Sequence, residues 1–129
     1  MITALTSFNG LSVNDLAAAR AFYVDTLQLT PTDESMGLML ALPGGGSLFI
    51  YEKADHAPAT YTVLNFVVEN IDATIEHLVG HHGIVMERYD YLPAQQDELG
   101  VLRGKAAQQG PDIAWFKDPA GNILAVIED

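Results

Sequence analysis

The 129-residue chain has no cysteine, which excludes disulfides, thiolate metal ligands and cysteine nucleophiles and leaves the redox compartment open. Basic residues are scarce. Six Lys and Arg stand against 17 Asp and Glu, a formal net charge of −11. Such a field repels phosphate backbones and anionic lipid surfaces, which argues against nucleic acid and membrane as partners. Its plainest consequence is solubility, although it would also attract a cationic ligand. No apolar run approaches the roughly 18 residues of a membrane span. The opening MITALTSFNG lacks the basic and apolar regions of a secretory signal, so a cytoplasmic protein is expected. G-x-S-x-G, P-loop and G-x-G-x-x-G motifs are also missing.

What is present suits one domain: 49% of residues are hydrophobic and 18% charged. Residues 4–13 read as a strand that ends in Leu11 and Val13 at period two. Asn14 and Asp15 offer a helix cap, and Leu16, Ala19, Tyr23 and Leu27 follow at helical spacing, with Pro31 beyond to help stop the helix. A strand is expected near 29–33. MGLMLALP and SLFIYEK, separated by Gly44-Gly45-Gly46, read as a hairpin.

The pattern then restarts. YTVLNFVVEN (61–70) reads as a strand and IDATIEHLVGHHG as a helix with Gly83 at its left-handed C-cap. IVMERYDYL (84–92) reads as a strand, and 112–128 as a hairpin around Asp118-Pro119-Ala120-Gly121-Asn122. Val13 aligns with Val68 and Asp15 with Asn70, 55 residues on, and Gly46 aligns with Gly121, 75 on. The chain therefore reads as two β-α-β-β-β modules, 1–55 and 60–129, the second carrying a polar insertion at 93–111. Two readings of that insertion stand: a lid over a cavity, or a solvated loop with a short strand or helical turn.

Three motifs carry a family resemblance. Val13-Asn14-Asp15-Leu16 with Ala19, Phe22-Tyr23 and Leu27 forms one; FVVENIDATIEHL the second; Trp115-Phe116-Lys117-Asp118-Pro119-Ala120-Gly121-Asn122 the third. In this order they resemble the glyoxalase/bleomycin resistance protein/dioxygenase (vicinal oxygen chelate) superfamily. The resemblance implies an α+β fold of tandem βαβββ modules, with half-barrel mixed sheets, helices outside and a cavity between modules. It also implies a homodimer. It does not select a function, since members include lyases, epimerases, dioxygenases and antibiotic-sequestering proteins.

Enzymes of this superfamily hold a divalent metal with His, Gln or Glu at equivalent strand positions, as the chemistry of such ions requires. The resemblance places those positions at Phe8, Val63 and Ala125, seven residues before Asp15, before Asn70 and after Asp118, and at Ile50, four after Gly46. None can ligate a metal, so no metal or other cofactor is expected. Glu52, two residues past Ile50, is the weak candidate for an acid or base. His77, His81 and His82 are expected to face solvent on the second helix, with His56 in the loop between modules; a nickel-binding role for the adjacent pair is the alternative.

The cleft so described is apolar. Its expected wall is Phe8, Ile50, Glu52, Val63, Asn65 and Ala125, with Tyr89 and Trp115 able to stack on a flat ligand. The same side chains read equally as core. Three functions follow: a metal-independent protein that sequesters an antibiotic or an aromatic or cationic metabolite; a lyase, isomerase or dioxygenase using a metal or Glu52; and a structural or regulatory dimer with a filled cleft.

Overall fold

The computed structural model describes every residue, Met1–Asp129, in two compact units, Met1–Pro58 and Ala59–Asp129. The first unit contains β1 (Asn9–Val13), α1 (Leu16–Arg20), β2 (Thr30–Asp33), β3 (Leu38–Ala41) and β4 (Ser47–Glu52). The second contains β5 (Thr62–Val67), α2 (Ile71–His82), β6 (Leu102–Arg103), β7 (Asp112–Lys117) and β8 (Ile123–Glu128). Each has one mixed four-stranded sheet, in the orders β1-β4-β3-β2 and β5-β8-β7-β6. The first and last strands of each unit pair in parallel, β1 with β4 and β5 with β8. The fold is α+β. No helix is long and apolar enough to cross a membrane.

The helices start where the cap residues stand. Asp15 accepts the Ala18 N–H at 3.1 Å, and Asn70 accepts the Ala73 N–H at 3.0 Å. A second acceptor reaches each helix from the end of the last strand. Glu52 takes the Leu16 N–H and Glu128 the Ile71 N–H, both at 2.9 Å. Carboxylates there satisfy otherwise unpaired donors and oppose the positive end of the helix dipole. α2 closes on Gly83 at φ 65°, a left-handed geometry that costs glycine nothing. α1 passes into a π-helical Ala21–Thr26, where the Leu27 N–H reaches the Phe22 carbonyl at 2.9 Å. Gln28, at φ 60°, turns the chain out of that helix before Pro31 is reached.

Alternate strand residues pack beneath the helices. In the first unit Leu11, Val13, Leu38, Leu40, Leu48 and Ile50 are buried with Ala19 and Tyr23. In the second Ala114, Phe116, Leu124 and Val126 are buried with Ile71, Ile75 and Leu78. The opposite face of each sheet is left partly open.

Two expected strands differ. Residues 4–8 remain outside β1. Residues 84–92 form no strand, although the Glu87 N–H donates to the Trp115 carbonyl at 2.8 Å. The cause is the Gln96 side chain, which behaves like a neighbouring peptide. Its Oε1 accepts the Tyr89 N–H at 2.8 Å, and its Nε2 donates to the carbonyls of Glu87 at 2.9 Å and Gly100 at 2.7 Å. The edge of β7 is instead extended by the short β6.

The 93–111 segment is tied down rather than hinged. Arg103 bonds Asp72 and Asp97 at 2.8 Å and Asp112 at 3.3 Å. Asp97 also accepts the N–H groups of Leu99 at 3.0 Å and Val101 at 2.8 Å. These bonds, joined by that from Arg103, outweigh burial and hold the Asp97 carboxyl below its ordinary range. Val101 is fully buried. The short strand expected within the segment is present as β6.

Candidate functional site

Residues paired directly across neighbouring strands share a face, so the register assigns every candidate side chain. In the first unit Gly10 pairs with Phe49 and Phe49 with Met39, while Ser12 pairs with Tyr51. These lie on the open face. Phe8 leans edge-on against Phe49, ring centroids 6.3 Å apart, and Phe49 stacks on Tyr51 at 5.9 Å. Phe8 is 58% exposed. A Cβ on Gly37 would stand 2.7 Å from the Phe49 ring, so glycine leaves that ring its place. A polar pair sits beside this aromatic run: Ser12 Oγ and His56 Nδ1 are 2.6 Å apart. His56 gets there because the Lys53 N–H bonds the Val13 carbonyl at 2.9 Å and the His56 N–H closes a turn on Lys53 at 3.0 Å. It is half-buried rather than free in the loop.

Two expected wall residues are thereby corrected. Ile50 pairs with Leu11 and Leu38 and is fully buried on the helix side. Glu52 pairs with Val13 on that same side, and its carboxylate is held by the Leu16 N–H. The error is a slip of one residue, which moves every side chain of a strand to the other face. The turn bonds Leu42 N–H to Gly46 O and Gly45 N–H to Leu42 O match Asp118 N–H to Asn122 O and Gly121 N–H to Asp118 O, each 76 residues on. Gly45, not Gly46, is therefore the counterpart of Gly121. A run of three glycines hides that choice; the acids Glu52 and Glu128, also 76 apart, reveal it. Ala125 then corresponds to Phe49.

In the second unit Asn65 pairs with Ala125 and Ala125 with Trp115, forming one row on the face away from the helix, where Ala125, an expected wall residue, is itself fully buried. Val67, Ile127, Ile113 and Leu102 form the next row. Val63 is the half-buried extra residue of a bulge between Thr62 and Leu64. Tyr89 stands edge-on to Trp115, centroids 5.6 Å apart at 73°, and Tyr91 lies 5.3 Å from Tyr89. A groove of about 580 Å³ runs past Tyr89, Tyr91, Gln95 and Gln96, within the usual size range of small-molecule sites. Arg88, also on its rim, spends its guanidinium on the carbonyls of Asp97 at 2.6 Å and Glu98 at 2.9 Å. The Tyr89 hydroxyl is sealed from solvent and has no hydrogen-bond partner. Burial, then the charge of Glu87 and the neighbouring Tyr91, push this phenol above its ordinary range. It is therefore a neutral O–H donor at physiological pH.

The residues do not fit the family's metal. Phe8, Phe49, Val63 and Ala125 carry no donor atom, and nowhere do three His, Asp or Glu side chains gather to hold an ion. The open faces offer aromatic and aliphatic surface with a few polar groups: Ser12 with His56 in the first unit and Asn65 in the second.

Comparison with known proteins agrees with this architecture. No curated protein matches the chain in sequence. A genomically encoded fosfomycin resistance protein from Listeria monocytogenes aligns with a TM-score of 0.69 at 18% identity, over 100% of this chain and 95% of that one. A lactoylglutathione lyase from Agrobacterium tumefaciens aligns with a TM-score of 0.64 at 22% identity, over 97% and 94%. An antibiotic binding protein from a Streptomyces species aligns with a TM-score of 0.62 at 20% identity, over 98% of each chain. These likenesses show the fold. A sequence model of the Glyoxalase/Bleomycin resistance protein/Dioxygenase superfamily matches residues 4–126, and the chain belongs to that superfamily.

Proposed function

We propose that this protein is a metal-independent binder of a flat, largely apolar small molecule, sequestering an antibiotic or an aromatic or cationic metabolite. The observation that carries the reading is the Tyr89 hydroxyl, buried, neutral and unpartnered, on a ring set edge-on to Trp115. Buried polar groups are nearly always satisfied, and an unsatisfied one calls for an explanation. The Tyr89 ring lines the groove, so a ligand carbonyl or ether oxygen that draws the hydroxyl out of its sealed position supplies the missing acceptor while its ring system lies along Tyr89 and Tyr91. The chemistry of the metal positions and the net charge of −11 support the same reading. The antibiotic-binding neighbour supports it by analogy of fold alone. A homodimer belongs to this reading, since exposed apolar side chains such as Phe8, Met36 and Val67 are surface that a second copy would cover.

Trp115 is the chain's one tryptophan and packs edge-on against Tyr89, so its fluorescence reports on changes at that ring. Titration with a panel of aromatic antibiotics, cationic glycopeptides and planar metabolites should find a compound that changes the Trp115 emission and raises the melting temperature. Binding should weaken in Tyr89→Phe. If no compound in the panel changes either signal, the proposal is wrong.

A further inference from the structure

Outside the two sheet faces, metal-binding side chains gather on the last turns of α2. His77 and His81 are four residues apart with ring centroids 4.6 Å apart, and His82 lies edge-on to His77 at 5.1 Å. All three are exposed. At 3.6 residues per turn a spacing of four places two side chains within about 40° of each other around the helix, one above the other; the His77 and His81 rings are tilted by only 31°, whereas His82 meets His77 at 74°. Two histidines four apart on one helix face are a recurrent zinc-binding arrangement, and imidazole suits Zn²⁺, Cu²⁺ and Ni²⁺ alike. The charge of −11 raises the local concentration of any cation.

We propose that His77 and His81 form a surface site for one borderline divalent cation, Zn²⁺, Cu²⁺ or Ni²⁺, on the exposed side of α2. It is a two-imidazole site whose remaining positions are filled by water, consistent with no third His, Asp or Glu standing near enough to close it. His82 packs against His77 without ligating. Because both ligands are in register only when the helix is formed, the ion favours the folded last turns of α2 and raises the melting temperature. A metal-dependent melting shift in this protein therefore originates on α2 and carries no information about Phe8, Phe49, Val63 or Ala125.

The test is calorimetric titration of the untagged full chain with Cu²⁺ and Zn²⁺, with electron paramagnetic resonance of the Cu²⁺ form. One ion per chain is expected, with a two-nitrogen copper signature. His77→Ala and His81→Ala should each weaken binding at least tenfold, and His82→Ala less than threefold. Alanine is the best helix former, so α2 survives these changes, and circular dichroism verifies it. Wild-type affinity in His77→Ala, or equal competition by Mg²⁺ through the acidic surface, would overturn the site.

Discussion

Tyr89→Phe gives the sharpest prediction because it should move stability and binding in opposite directions. The substitution removes one oxygen and keeps the ring edge-on to Trp115. A buried hydroxyl without a partner costs about 1–3 kcal/mol relative to its hydrated state, and its removal should recover roughly 1–2 kcal/mol of that. Unfolding entropy of about 2.1 cal/mol/K per residue amounts to about 0.27 kcal/mol/K for 129 residues. The melting temperature of the free protein should therefore rise by about 4–7 °C. Differential scanning calorimetry of wild type and variant, without ligand, reads this directly. Loss of a hydrogen bond worth about 0.5–1.5 kcal/mol should meanwhile weaken the ligand by roughly two- to tenfold. A lower melting temperature in Tyr89→Phe would show that the hydroxyl is bonded within the free protein, and the reasoning from an orphaned donor would fail.

Five further substitutions test the structural assignments. Asp118 is 4% exposed and accepts from the N–H groups of Ala120 and Asn122 and from Asn122 Nδ2; Asp118→Ala should lower stability by about 2–3 kcal/mol in urea unfolding, and Asp118→Asn by less. Ile50→Ala should cost about 3–4 kcal/mol by opening a cavity in the core, whereas Phe49→Ala, on the open face, should cost less; the reverse ranking would put Phe49 in the core and Ile50 on the open face. The Asp97 carboxyl is held below its ordinary value in the folded chain. Its stabilising contribution is full above the ordinary carboxylate value and is lost as pH falls through the depressed one. Asp97→Asn should therefore be less stable than wild type at neutral pH, and the difference should shrink under acid.

Much of the fold was legible because its signals are local. Asp15, Asn70, Gly83 and the Asp118–Asn122 turn each solve a backbone problem within five residues, and each stands where the structure uses it. What escaped depends on distant partners. Nothing in IVMERYDYL tells that the Gln96 side chain will occupy its backbone. Nothing near His56 announces Ser12, 44 residues away. The site was half legible for the same reason. Asn65, Ala125 and Trp115 fall in one row because the Asp118 turn anchors their register, while Ile50 and Glu52 were read from a glycine run that fixes none.

Matching the two units separates the residues that build the fold from those free to serve a ligand. At matched positions Asp15 and Asn70 cap their helices, and Glu52 and Glu128 hold the first N–H of the same helices. These acids recur because each unit has the same helix to start, so Glu52 is accounted for by folding. The open faces do not recur: Phe8 stands where Val63 does, Gly10 where Asn65 does, and Phe49 where Ala125 does. A repeat that keeps its caps and diverges on one face depends less on that face for its own folding. Of these six residues only Asn65 has a polar side chain, so the sheets assemble no donor set for an ion. The one feature suited to an ion, the His77–His81 pair, lies on a helix instead.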